Sequence, residues 1–156
     1  MKDLIIRNAN ATDMKDVLIL IKELADFENA SDQVKMTEER LIEDGYGETP
    51  LFRSLIVEYR GKKCGYALFY FGYSTWNGKT LYLEDIMISN KYRRKGIGQE
   101  LFNSIIKIAR HYKVKRLDWQ VLNWNHTAIE FYKKNQANFE DKWINGRLFG
   151  LDLRNI

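Results

Sequence analysis

The sequence holds one cysteine, Cys64, so no disulfide can form within the chain. Two histidines, His111 and His126, are too few for a His/Cys metal cluster, and no metal site is expected. A single proline, Pro50, and no Ser- or Gly-rich run leave nothing that reads as a linker. No segment approaches the ~18 consecutive apolar residues of a membrane-spanning helix. The first ten residues carry Lys2, Asp3 and Arg7, where a secretory leader would be apolar. These absences lead us to expect a reducing, cytoplasmic protein with no membrane partner. What is present suits one core: 156 residues, 45% apolar and 13% aromatic, expected to form a single domain over residues 1–156.

The net charge of +4 is a mild excess, and its distribution says more than its size. Lys91-Tyr92-Arg93-Arg94-Lys95 is a basic knot before a glycine pair, and Lys107, Arg110, Lys113, Lys115 and Arg116 follow.

Periodicity predicts the elements. Leu4 to Arg7 forms a strand, and Thr12 or Asp13 caps a helix with an apolar stripe of Met14, Val17, Leu18, Ile21, Leu24 and Ala25. Thr37 caps a second helix, and Gly45 is placed to end it in a left-handed conformation. Phe52 to Tyr59 and Cys64 to Tyr73 make an antiparallel hairpin around Arg60-Gly61-Lys62, extended by Thr80 to Ile88; Cys64 falls in the core. Gly96 to Tyr112 is a helix, Val114 to Leu122 a half-buried strand and Asn125 to Lys134 a short helix. Strands near Ala137 to Trp143 and Arg147 to Leu153 complete the order β-α-α-β-β-β-α-β-α-β-β, an α+β fold with a mixed central sheet flanked by helices.

The stretch that carries chemistry is strand, then Tyr92-Arg93-Arg94-Lys95-Gly96-Ile97-Gly98-Gln99, then helix. Glycines let the backbone approach an anion closely, and the first N–H groups of a helix point outward without partners. Such an end binds phosphate through oriented N–H groups and the helix dipole, with Arg93, Arg94 and Lys95 adding charge. Neither a P-loop nor a dinucleotide fingerprint is present. On Gly-x-Gly alone, a plain turn before a helix remains an equal reading.

Arg93-x-x-Gly96-x-Gly98 after the strand Leu81 to Ile88 resembles the acetyl-CoA signature of the GNAT superfamily of N-acetyltransferases. Leu20 to Ala25, Phe27-Glu28, Ser31 to Lys35, Glu43 to Gly47, Tyr73 to Thr80, Tyr82 to Ile86, Trp124-Asn125 and Phe131 to Lys133 are similar to its diamine acetyltransferase branch. That branch comprises the spermidine/spermine and thialysine N-epsilon types. The likeness runs from about residue 4 to about residue 150, and Phe27-Glu28, Ser31 to Lys35 and Tyr73 to Thr80 look closer to the thialysine type than to the spermidine type.

The resemblance implies a GNAT-type fold and transfer of an acetyl group from acetyl-CoA to a small amine. It implies that the cofactor's pantetheine arm pairs with Ile86, Met87 and Ile88, and that its pyrophosphate rests on the amides of Arg94, Lys95, Gly96, Ile97, Gly98 and Gln99 beside Arg93. Asn125 matches a coenzyme-contacting asparagine, Tyr132 the acid that protonates the departing thiolate, and Glu84 the base. Phe27, Glu28, Ser74, Trp76, Glu84 and Asp85 would bind the substrate amine, with carboxylates and aromatic faces suited to an alkylammonium chain. Neighbouring strand residues face opposite ways, so Glu84 and Asp85 can share a pocket only through a bulge; otherwise Asp85 forms a surface ion pair. Members of this branch form homodimers. Arg94 stands where the branch has glycine, Ser74 where spermidine-type enzymes have aspartate, and Trp143-Ile144-Asn145-Gly146 lacks the branch's acids; these departures favour a short amine over a long polyamine.

Three other readings stand beside this one. The chain would acetylate another acceptor such as a protein N-terminus, bind coenzyme A or polyamine without turnover, or bind nucleic acid through its basic segments with Tyr112 and Trp119.

Overall fold

The computed structural model describes residues 2–146, which form two compact units, one ending at Gln120 and the other beginning at Val121. The first unit is built on strands β1 (Leu4–Asn8), β2 (Arg53–Tyr59), β3 (Lys62–Ser74), β4 (Gly78–Ile88) and β5 (Arg116–Asp118). Their order in the sheet is sequential; β1 to β4 run antiparallel, and β5 joins β4 in parallel. Helices α1 (Met14–Phe27) and α2 (Glu38–Tyr46) precede β2, and α3 (Ile97–His111) links β4 to β5. The second unit contains α4 (His126–Lys134). This is the expected mixed sheet flanked by helices.

Helix α1 buries Met14, Val17 and Leu20 against Ile56, Tyr66, Leu68 and Met87 of the sheet, with Leu41 of α2 completing the cluster. Each such side chain contributes about 1.5–3 kcal/mol through removal from water. Ile88 follows Met87 and so points to the other face, where its Cγ1 lies 3.8 Å from the place a Cβ would take at Gly98 of α3. Thus α1 and α2 cover one face and α3 the other. The β2–β3 turn is the expected one: Arg60 and Gly61, at φ 51° and 69°, connect the paired residues Tyr59 and Lys62.

Several sequence expectations need correction. Asp13 precedes α1 but its side chain does not cap it; the carboxylate accepts the Asn10 N–H at 2.9 Å and is gripped by Arg7 at 2.7 Å and Lys63 at 2.7 Å. Gly45 does not end α2. It lies inside the helix, where a Cβ would sit 2.5 Å from Phe52 Cζ, so its smallness admits that ring. Thr37 caps α2 as expected, accepting the Arg40 N–H at 3.2 Å. The strand expected over Val114 to Leu122 is only Arg116–Asp118, because its alternation continues where β4 offers no further pairing. Asn125 is the cap of α4 rather than its first residue. Ala137 to Trp143 forms no strand: Phe139 and Trp143 are exposed, with three charged residues between them. The strand expected over Arg147 to Leu153 lies outside the described residues.

Candidate active site

The register between β3 and β4 slips at one point. Leu68 pairs with Asp85 and Phe69 with Leu83, so Glu84 is an extra residue bulged out of the ladder. Asp85, opposite Leu68, therefore shares the face covered by α1 and α2, whereas Leu83, opposite Phe69, does not. Both carboxylates consequently line one cleft. Its volume is about 490 Å³, and its walls include Ile21 of α1, Leu41 and Asp44 of α2, Leu68 and Tyr70 of β3, and Met36, Leu51 and Phe52 from the connecting segments.

Asp85 is not a surface ion pair. Tyr66 Oη donates a 2.7 Å hydrogen bond to its Oδ2, and burial holds the carboxyl above its usual range while that bond pulls it back. The Tyr66 phenol is itself held well above its ordinary value, first by burial and then by the charges of Asp85, Glu28 and Glu84. Glu28, in the turn that ends α1, is raised by burial and then by the nearby charge of Asp85. Glu84 and Asp85 thus line an apolar wall that Asp44 also borders, with Glu28 near enough to feel the charge of Asp85. A cation entering this cleft relieves their mutual repulsion, and a carboxylate held above its usual range is better matched to take a proton near neutral pH.

Beyond the bulge, β4 keeps pairing with β3, but on its other side β5 meets only Thr80, Leu81 and Tyr82. Among the described residues no strand pairs with that edge at Ile86, Met87 and Ile88, where Ile88 O instead accepts from the Arg93 side chain; this leaves the edge at Ile86 and Met87 without a strand partner. The strand leads into a 3-10 turn at Asn90–Tyr92 and then the glycine loop. Gly96 caps α3 at φ 77°, and its carbonyl accepts the N–H groups of Gln99 at 3.1 Å and Glu100 at 3.2 Å. The N–H groups of Ile97 and Gly98 come before the first helical bond.

Gly98 tests whether this end fits a bound anion. Glycine in a helix costs roughly 0.5–1 kcal/mol relative to alanine. Yet among the described residues a Cβ there would meet only Ile88 Cγ1 at 3.8 Å, an ordinary contact. The fold does not demand glycine at this position, whereas close approach of a phosphate does. The residues therefore fit a pyrophosphate-bearing coenzyme, with exposed Arg94 and Lys95 alongside.

Arg93 is used differently from its two neighbours. Its Nε donates to Ile88 O at 2.9 Å, and its guanidinium lies 4.8 Å from the centre of the Phe27 ring. Ser74 and Trp76 sit at the tip of the β3–β4 hairpin, where Ser74 Oγ accepts the N–H groups of Trp76 and Asn77 at 3.2 Å. Six steps along the strand, about 20 Å at strand rise, separate Gly78 at that tip from Glu84. The structure therefore brings Glu28, Glu84 and Asp85 together but not Ser74 or Trp76. In the second unit, Asn125 Oδ1 caps α4 by accepting the Ala128 N–H at 3.1 Å, and Tyr132 is buried.

The sequence reading missed Tyr66, Tyr70 and the α2 side of the cleft. Tyr66, Leu68 and Tyr70 alternate along β3 on the cleft face, and that period was the available signal.

The profile of the Acetyltransferase (GNAT) family matches residues 18–137. This chain belongs to that family. It is an N-acetyltransferase. Thialysine N-epsilon-acetyltransferase of Bos taurus is 40% identical over 141 residues, covering 85% of this chain and 83% of that protein. Spermidine/spermine N(1)-acetyltransferase-like protein 1 of Homo sapiens is 36% identical over 148 residues, covering 88% of this chain and 21% of that protein. Among solved structures, an integron cassette protein of V. cholerae superposes with a TM-score of 0.78 at 22% identity, covering 98% and 96% of the two chains; it shares the fold.

Proposed function

We propose that this chain transfers the acetyl group of acetyl-CoA directly to a primary amine of a small diamine, polyamine or thialysine-like substrate. The observation that carries this reading is the bulge at Glu84, which turns Glu84 and Asp85 into one cleft with Glu28 nearby. A row of carboxylates along an apolar wall suits an alkyl chain bearing an ammonium group. The identity to thialysine N-epsilon-acetyltransferase favours a short acceptor.

Bound acetyl-CoA supplies the thioester. The amides of Ile97 and Gly98, with Arg94 and Lys95, would hold the pyrophosphate, and the strand edge at Ile86 to Ile88 would align the pantetheine arm. Glu28 and Asp85 attract the ammonium group, and Glu84 takes its proton, directly or through water, to free the lone pair. Tyr132 donates a proton to the departing sulfur. Asn125 contacts the coenzyme. Positioning supplies much of the acceleration. The two units serve one acetyltransferase domain over residues 1–156, working as a cytoplasmic homodimer without metal, nucleic acid or membrane.

The test is steady-state kinetics of Glu84→Gln and Tyr132→Phe with acetyl-CoA and thialysine. General acid–base roles predict losses of about 100-fold or more in kcat. Wild-type kcat in either variant contradicts the role assigned to that residue.

A further inference from the structure

One face of α1 grips the cofactor loop at two points. Glu23 Oε1 accepts the Asn90 N–H at 3.0 Å, and one turn later the Phe27 ring carries the Arg93 guanidinium at 4.8 Å. Residues four apart on a helix share a face, so both contacts come from the same side of α1 and brace the two ends of the segment 90–93. Arg93 is also tied to the end of β4 through Ile88 O. Glu28 follows Phe27 directly, and its N–H donates to Leu24 O at 3.0 Å, which fixes it to the last helical turn. The backbone therefore runs without a joint from the loop contacts to the carboxylate beside Asp85.

The loop also holds one residue in a sparsely populated conformation. Arg94 occupies a left-handed conformation at φ 59°, which is unfavourable for a residue with a Cβ. An anion held by the N–H groups at the start of α3 would favour the loop arrangement that presents those groups. Whatever steadies the loop then steadies Phe27 and Glu28 through the two contacts, and the second ligand has less ordering left to do.

We propose that Glu23, Phe27 and Arg93 form a strap that couples the two halves of the reaction site, so that coenzyme and amine each bind more tightly in the presence of the other. All three are positioning residues in this role. By thermodynamic reciprocity the gain is the same from either side. The inference rests on the amine-acetyltransferase reading, and its test separates the two.

The experiment is calorimetric titration of coenzyme A, which permits no turnover, into protein with and without saturating thialysine. It compares wild type, Glu23→Ala, Phe27→Leu and Phe27→Tyr, with circular dichroism and Tm to confirm folding. Wild type is expected to show coenzyme affinity raised about fivefold or more by thialysine, the lower end of usual coupling. Glu23→Ala and Phe27→Leu should reduce that gain to below about twofold, whereas Phe27→Tyr, which keeps a ring face for Arg93, should retain it. Glu23→Ala changes a half-buried helix surface and carries the test should Phe27→Leu fail to fold. Full coupling in folded Glu23→Ala overturns the strap, as does a wild type that binds both ligands without coupling. A wild type that binds coenzyme A but neither thialysine nor any other small amine overturns the amine reading, and the strap with it.

Discussion

Tyr66 Oη donates to Asp85 Oδ2 at 2.7 Å and so meets the carboxyl inside the cleft. The bond favours the ionised form, while burial opposes it and wins. Tyr66→Phe therefore raises the Asp85 pKa further, so less carboxylate is present at a given pH. A pH–rate profile should show the acid limb of kcat/KM moved to higher pH, with activity at pH 6 reduced more than at pH 8. An unmoved limb would remove Asp85 from amine binding.

The same crowding of charge predicts a trade between stability and function. Glu28 and Asp85 have folded-state pKa values above their unfolded ones, so the folded state holds their protons more tightly, and the stability they contribute declines as pH rises through the folded values. Asp85→Asn keeps an acceptor for Tyr66 and removes a buried charge. At pH 7.5 it should gain about 1 kcal/mol in denaturant unfolding while its amine KM rises by about tenfold. A variant less stable than wild type would contradict this electrostatic account.

Asp13 behaves in the opposite sense. Its hydrogen bonds to Arg7, with lesser help from Lys63 and the Asn10 N–H, outweigh burial and hold the carboxyl well below its ordinary value. The stability this contributes is fully present above the unfolded value of about 3.9 and is lost as pH falls toward the lower folded one. Asp13→Asn should cost about 3 kcal/mol at pH 7, the scale of breaking a buried pair, with the difference from wild type shrinking below pH 4. Urea titrations at both pH values check this; a cost independent of pH would mean that packing, not charge, is what Asp13 supplies.

Gly98→Ala separates fold from cofactor. Among the described residues the added methyl meets only Ile88 Cγ1 at 3.8 Å, so the protein should be as stable or gain about 0.5 kcal/mol. Coenzyme A affinity should fall by about tenfold or more, because the methyl occupies the anion's approach. Unchanged affinity would show that the glycine serves some other purpose.

Much of this was legible in the sequence because it depends on local periodicity. The apolar stripes of α1 and α3, the Arg60-Gly61 turn and the Gly-x-Gly loop are visible within a few neighbouring residues. Glu84 was legible only conditionally: alternation forbids it and Asp85 from sharing a face, and the bulge that permits it arises from pairing with Leu68 and Phe69. Gly45 and Arg93 were misread or half-read because their partners, Phe52 and Phe27, come from other elements of the fold. The strand after α3 was overextended because alternation signals a half-buried surface, whereas a strand also needs a partner, and β4 provides one only at Thr80 to Tyr82.

The most direct test of the central claim is thiol release from acetyl-CoA by the wild-type protein, measured with thialysine, lysine, putrescine, spermidine, spermine and an N-terminal peptide. The account predicts turnover with the short amines, weaker turnover with spermine and none with the peptide. Tight binding of acetyl-CoA with no thiol released by any amine, or turnover confined to the peptide, would contradict it.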